Sequence, residues 1–147
     1  MSKPVVIPFE TTIHVRDTCL CLHVQRAARA LARRFDVALK PVGLTNGQFS
    51  LLMSLNRPQP AGLGGVANLL AMDRTTLTAA LKPLERRGLL TIAPDPKDAR
   101  ARVLSLTADG RAVLAQALPI WTREHAKLDE DLGGGGEALR AGLRLLA

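Results

Sequence analysis

The sequence predicts a mainly α-helical chain carrying one small β-hairpin. Three observations lead there. Apolar residues recur at a spacing of about 3.6 over most of the chain. Cap-forming residues and Gly or Pro stops bracket those stretches. Only residues 89–106 switch to short apolar runs with alternation. The chain has 147 residues, 47% of them apolar. That is one domain of ordinary size with enough hydrocarbon for a core.

Residues 1–16 hold Pro4 and Pro8 and show no helical period. They read as an arm, extended or ordered by a partner. From Asp17 onward Leu20, Val24, Ala27, Ala28, Leu31, Phe35 and Ala38 fall on one stripe. Asp17 or Thr18 caps this long helix, and Lys40-Pro41 and Gly43 stop it. Thr45-Asn46-Gly47-Gln48 is a capping box, with Leu44 and Phe49 placed as a hydrophobic staple. The helix it starts runs through Leu55. Pro58, Pro60 and Gly62 then break the chain.

Residues 63–71 form a short apolar helix weakened by Gly64 and Gly65. Asp73 caps the next helix, Arg74 to about Arg87, whose buried stripe is Leu77, Leu81 and Leu84. Pro83 should kink it and Gly88 should end it. The apolar runs 89–93 and 102–106 make a β-hairpin with a long charged tip, 94–101. Thr107 caps a long helix to about Leu132, kinked at Pro119. After Gly133–Gly136 a last amphipathic helix carries Leu139, Leu143 and Leu146.

The formal net charge is +7, which points to an anionic partner. Three Phe, one Trp and no Tyr argue against a stacking platform for single strands or RNA. No apolar run reaches the roughly 18 residues of a membrane span, and the first residues lack a signal-peptide pattern. A cytoplasmic location with no membrane partner is therefore expected. Cys19 and Cys21 do not make a disulfide framework.

The order of elements explains the charge. An α-helix about 12 Å across fits the major groove of B-DNA. It needs a second helix behind it and short polar side chains at its N-terminal half. Residues 63–71 supply the prop and 74–87 the reader, which with the hairpin make a winged helix-turn-helix over roughly residues 62–106. Thr75, Thr76 and Thr78 are small enough for close approach. Arg74, Lys82 and Arg86 can reach bases or phosphates. On the β-wing, Lys97, Arg100 and Arg102 are cationic, and an arginine there suits a narrow minor groove. Asp98 would be repelled by phosphate, so its expected role is to steady the wing by holding Arg100 or Arg102.

The stretch from Leu70 to Arg111 resembles the MarR (multiple antibiotic resistance regulator) family. The motifs are Leu84-Glu85-Arg86-Arg87-Gly88-Leu89, then Asp98-Ala99-Arg100, then Leu106-Thr107-Ala108-Asp109-Gly110. The resemblance implies a winged helix-turn-helix DNA-binding region, 45–106. It also implies a helical dimerisation region formed by 17–44 and 107–147, with 1–16 as an N-terminal arm. It further implies a homodimeric repressor on a pseudo-palindromic site in double-stranded DNA. Release would come from a small, often aromatic, effector that changes the spacing of the two readers.

Cys21 falls where the peroxide-sensing branch of that family carries its reactive cysteine. That branch holds the thiolate with tyrosines, whereas the positions compared here are Phe35 and Phe49. Cys19 and Cys21 lie about 200° apart on a helix and do not readily bond to each other. His14, His23 and His125 show no ligand spacing, so neither a metal nor a cofactor is expected. No nucleophile–base constellation is visible, so an enzyme is not expected. Two alternatives to the ligand-responsive repressor remain: a thiol sensor using Cys21, with or without Cys19, and a winged-helix protein-interaction module that does not bind DNA.

Overall fold

A computed structural model describes residues 1–147. The chain divides into two compact units, residues 1–34 and 35–147. The first unit contains helix α1 (Phe9–Thr18) and most of α2 (Leu20–Leu39). Helix α1 corrects the expectation of an arm without helical structure. It has no buried residue and no apolar stripe, so it leaves no 3.6 period to read. Pro8 stands at its N-cap, where a missing N–H costs nothing. The second correction concerns the start of α2. Neither Asp17 nor Thr18 caps it: Asp17 pairs with Arg16, and the Thr18 hydroxyl donates to the His14 carbonyl. The break falls at Cys19, whose backbone is extended (φ −69°, ψ 112°).

The second unit begins with the end of α2 and a 3₁₀ turn, Lys40–Val42, closed by Gly43 in the left-handed region (φ 70°). Helix α3 (Asn46–Ser54) starts at the expected capping box. Thr45 Oγ1 accepts from the Gln48 N–H at 3.2 Å, and Gln48 Oε1 accepts from the Thr45 N–H at 3.1 Å. A two-residue strand β1 (Ala61–Gly62) leads directly into α4 (Leu63–Leu69). Helix α5 (Arg74–Arg86) follows after a short turn in which Ala71 takes a positive φ of 52°.

Strands β2 (Leu90–Asp95) and β3 (Asp98–Leu106) form the wing, and β1 pairs with the other edge of β3. The long tip expected over 94–101 is corrected to a tight turn at Pro96-Lys97. Both strands run further than alternation suggested, because the register shifts. Pro94 pairs with Arg102, but the next residue, Asp95, pairs with Asp98. Ala99, Arg100 and Ala101 are thus extra residues bulged out of β3. Pro94 is tolerated because β2 is an edge strand. Helix α6 (Ala108–Asp131) and α7 (Gly136–Arg144) complete the chain. Thr107 caps α6 as expected, with the Gly110 N–H donating to its hydroxyl oxygen at 3.0 Å.

The core lies wholly in this second unit and is entirely apolar. Leu39, Leu52, Leu77, Leu81, Leu84, Leu90 and Leu104 are its most enclosed large side chains. They come from α2, α3, α5, β2 and β3. One hydrocarbon cluster therefore clamps the helix pair α4–α5 to the wing.

Candidate nucleic-acid interface

Helix α5 presents two faces. Leu77, Leu81 and Leu84 bury the inner one at 0–1% exposure. Arg74, Thr75, Thr78, Ala79 and Lys82 line an open groove on the outer one. Their spacing of i, i+1, i+4, i+5 and i+8 is one stripe of a helix. Four of the expected reader residues are thereby brought together. Ala79 belongs with them and was not foreseen, because an alanine carries no signal beyond its position.

The polar groups here differ in availability. Asp73 caps α5: its Oδ1 accepts from the Thr76 N–H and its Oδ2 from the Thr76 hydroxyl, both at 2.7 Å. These two hydrogen bonds hold the Asp73 carboxyl below its ordinary pKa, the backbone one contributing most. Thr76 is thus committed to the cap. The Thr78 hydroxyl donates to the Arg74 carbonyl at 2.8 Å, within the helix. Thr75 is exposed, and its hydroxyl is not engaged within the protein. Arg86 is exposed at the far end of α5, outside the residues lining the groove. The adjacent Arg87 is an anchor that sequence reasoning missed. Its guanidinium donates to the Gly43 carbonyl at 2.9 Å, across 44 residues of chain.

On the wing, Asp98 meets the main chain and not an arginine side chain. Its Oδ1 accepts from the Arg100 N–H at 3.0 Å. The Arg102 guanidinium donates to the carbonyls of Ala99 and Ala101 at 3.1 and 3.3 Å. Asp95 accepts from the Lys97 N–H at 2.9 Å. The acidic groups of α5's cap and of the wing thus face backbone amides. No ion pair neutralises Arg74, Lys82, Arg86, Lys97, Arg100 or Arg102, and all of them are exposed.

Away from this surface, Cys19 is half-buried, Cys21 is exposed, and both are free thiols. Trp121 lies 4.7 Å from the His125 ring and stacks with Phe49 at 6.1 Å, and Phe35 lies 6.1 Å from His125. Both Phe rings are buried. No helix is long and apolar enough to cross a membrane.

With this geometry established, similarity decides the family. The MarR family model matches residues 44–101. MosR of M. tuberculosis, solved in complex with DNA, is 36% identical, with 86% of this chain and 92% of that one covered at a TM-score of 0.79. The chain belongs to the MarR family. The repressor CouR, solved on a 23-mer DNA duplex, is 33% identical over 90% of this MarR chain and 94% of its own, at a TM-score of 0.80. CouR has also been solved bound to p-coumaroyl-CoA, with 31% identity, the same coverage and a TM-score of 0.79. Among curated relatives, the transcriptional activatory protein BadR of Rhodopseudomonas palustris is 32% identical over 64% of this chain and 55% of its own length. The chain thus matches little more than half of BadR. The protein is a winged-helix transcriptional regulator of the MarR family, a family of regulators rather than enzymes.

Proposed function

We propose that this MarR-family regulator is a cytoplasmic homodimer that binds a pseudo-palindromic site in double-stranded DNA as a repressor and is released by a small aromatic ligand. The observation that carries the DNA contact is the outer face of α5. It gathers Arg74, Thr75, Thr78 and Lys82 along one groove, free of any neutralising carboxylate. Arg74 and Lys82 have the reach for guanine acceptors or phosphates, and Thr75 is short enough for a base edge. The wing adds Lys97 and Arg100, with Arg100 in a bulge that lifts it out of β3. Thr76, Arg102 and Asp98 hold α5 and the wing in shape, and Arg86 extends the basic face.

Dimerisation is supported by what residues 1–34 lack. No residue there is buried, while Val5, Val6, Ile7, Phe9, Val15, Leu20, Val24 and Leu31 are exposed. A segment with no core of its own needs a partner surface, and a second copy is the one every regulator of this type has at hand. Leu139, Leu143 and Leu146 add an apolar edge at the C-terminus. We accordingly assign 17–44 and 107–147 to dimerisation, 45–106 to DNA, and 1–16 to a partner-ordered N-terminal segment. CouR, with its bound p-coumaroyl-CoA, supports an aromatic effector. CouR is named a repressor and BadR an activatory protein. We read this chain as a repressor, and derepression of a reporter on deletion of its gene checks that sign.

A salt titration of binding to the DNA upstream of its own gene tests the central reading. Affinity should fall steeply with salt, the slope counting the phosphates contacted. Absence of binding at low salt would remove the proposal. A second reading, release by oxidation of Cys21, is favoured by one observation, the exposure of its free thiol. It has Phe35 and Phe49 where thiolate-holding hydroxyls would be needed.

A further inference from the structure

Gly64 is an expensive residue for its place. It is the second residue of α4, a helix in which glycine is disfavoured relative to alanine. The helix is only seven residues long, so that cost is not diluted. Gly65, beside it, has open space around its α-carbon. Gly64 does not. A Cβ there would stand 2.9 Å from Arg74 Nη2 and 3.7 Å from Arg74 Cζ. The guanidinium of the first residue of α5 therefore lies across α4 in the gap that the missing side chain leaves.

We propose that Gly64 is a positioning residue for Arg74: its bare backbone leaves the room in which the arginine's guanidinium lies at the edge of the reading groove. This rests on the assignment of Arg74 to the DNA interface. A free arginine loses rotamer freedom when it is immobilised on a ligand. The room at Gly64 keeps open the pose across α4, which a methyl there would bar. The planar guanidinium suits such seating, since its direction is set once the plane is set. Alanine at position 64 would not disturb the core. It meets only the far end of a flexible side chain, which moves away. The helix itself gains from the change. Stability and DNA affinity should therefore move in opposite directions, which a simple packing role for Gly64 would not produce.

The test is a double-mutant cycle on the intact protein, read by fluorescence anisotropy with the upstream DNA and by thermal unfolding. Gly64→Ala should leave the melting temperature unchanged or raised and weaken DNA binding about three- to tenfold. In an Arg74→Ala background the same substitution should have no further effect on binding. Gly65→Ala, with the same gain in helix propensity and open space around its methyl, should show no coupling to Arg74. Equal weakening by Gly64→Ala in both backgrounds, no weakening at all, or equal coupling at position 65 would each overturn the inference. If Arg74→Ala itself binds as the parent does, the interface assignment fails first and the inference falls with it.

Discussion

The α-carbon of Gly110 in α6 passes so close to the carbonyl oxygen of Leu89 that no Cβ fits between them. A Cβ there would also press on the Leu89 carbonyl carbon at 3.0 Å and on Leu106 Cδ2 at 3.2 Å. The Leu89 carbonyl accepts from the Thr107 N–H at 3.2 Å, and the Thr107 hydroxyl donates to the Gly88 carbonyl at 2.6 Å. The end of α5, the start of the wing and the start of α6 are joined at this one point. Gly110→Ala sets a methyl against rigid backbone, so it should destabilise the fold by about 1–3 kcal/mol or more. Urea unfolding measures it, and an unchanged midpoint would contradict the packing described.

Asp36 ties the end of α2 to α3. Its Oδ1 accepts from the Asn46 N–H at 2.7 Å and from Asn46 Nδ2 at 2.8 Å. The backbone hydrogen bond, then the side-chain one, hold its carboxyl below the ordinary 3.8. The folded form thus favours the carboxylate. Its contribution is complete above about 3.8 and is lost as pH falls through the lower folded-state value. The Asp73 cap behaves in the same direction. Asp36→Ala should cost about 1 kcal/mol at neutral pH. The difference from the parent should shrink in acid, below the ordinary carboxylate range. A difference that stays constant down to complete acid unfolding would exclude the charged tie.

The two wing arginines should separate by salt dependence. Arg100→Ala is expected to weaken DNA binding by about 1–3 kcal/mol. Arg102 is occupied with the Ala99 and Ala101 carbonyls. Arg102→Ala should therefore weaken binding by loosening the bulge while leaving the slope of log K against log salt unchanged. A slope reduced by about one unit would show that Arg102 contacts phosphate directly.

For release, the aromatic-ligand reading expects Cys21→Ser to leave ligand response and DNA affinity as in the parent. Treating the parent with hydroperoxide should not release DNA. Peroxide release that disappears in Cys21→Ser would install the thiol switch in its place.

Several of these features could be read from sequence because their signals are local. The Thr45–Gln48 box, the Asp73 and Thr107 caps, and the Leu77, Leu81 and Leu84 stripe each depend on residues within one or two turns. The features that escaped are non-local or carry no pattern. Helix α1 lacks an apolar face, so periodicity had nothing to detect. The bulge at 99–101 depends on the pairing of β2 with β3, which alternation along one strand does not encode. The bond from Arg87 to Gly43 spans the module, and the seat at Gly64 exists only once α5 folds back beside it. Asp98 was expected to hold the side chain of Arg100 or Arg102, but its partner is a backbone amide, which every residue shares and no sequence pattern marks.

The buried interior of the second unit contains no polar or charged side chain. Such a hydrocarbon block has nothing inside it to titrate, oxidise or screen. Its cohesion depends on temperature and co-solvent and barely on pH or on charge screening by dilute salt. Under the ligand release proposed above, the places for a signal to act are those where the block is fastened at its surface, at Asp36 on Asn46, Arg87 on Gly43, and the Trp121 and His125 rings. A genetic screen for regulators that hold DNA but ignore their signal should recover substitutions along these fastenings. The leucines between them should yield only proteins that fail to fold.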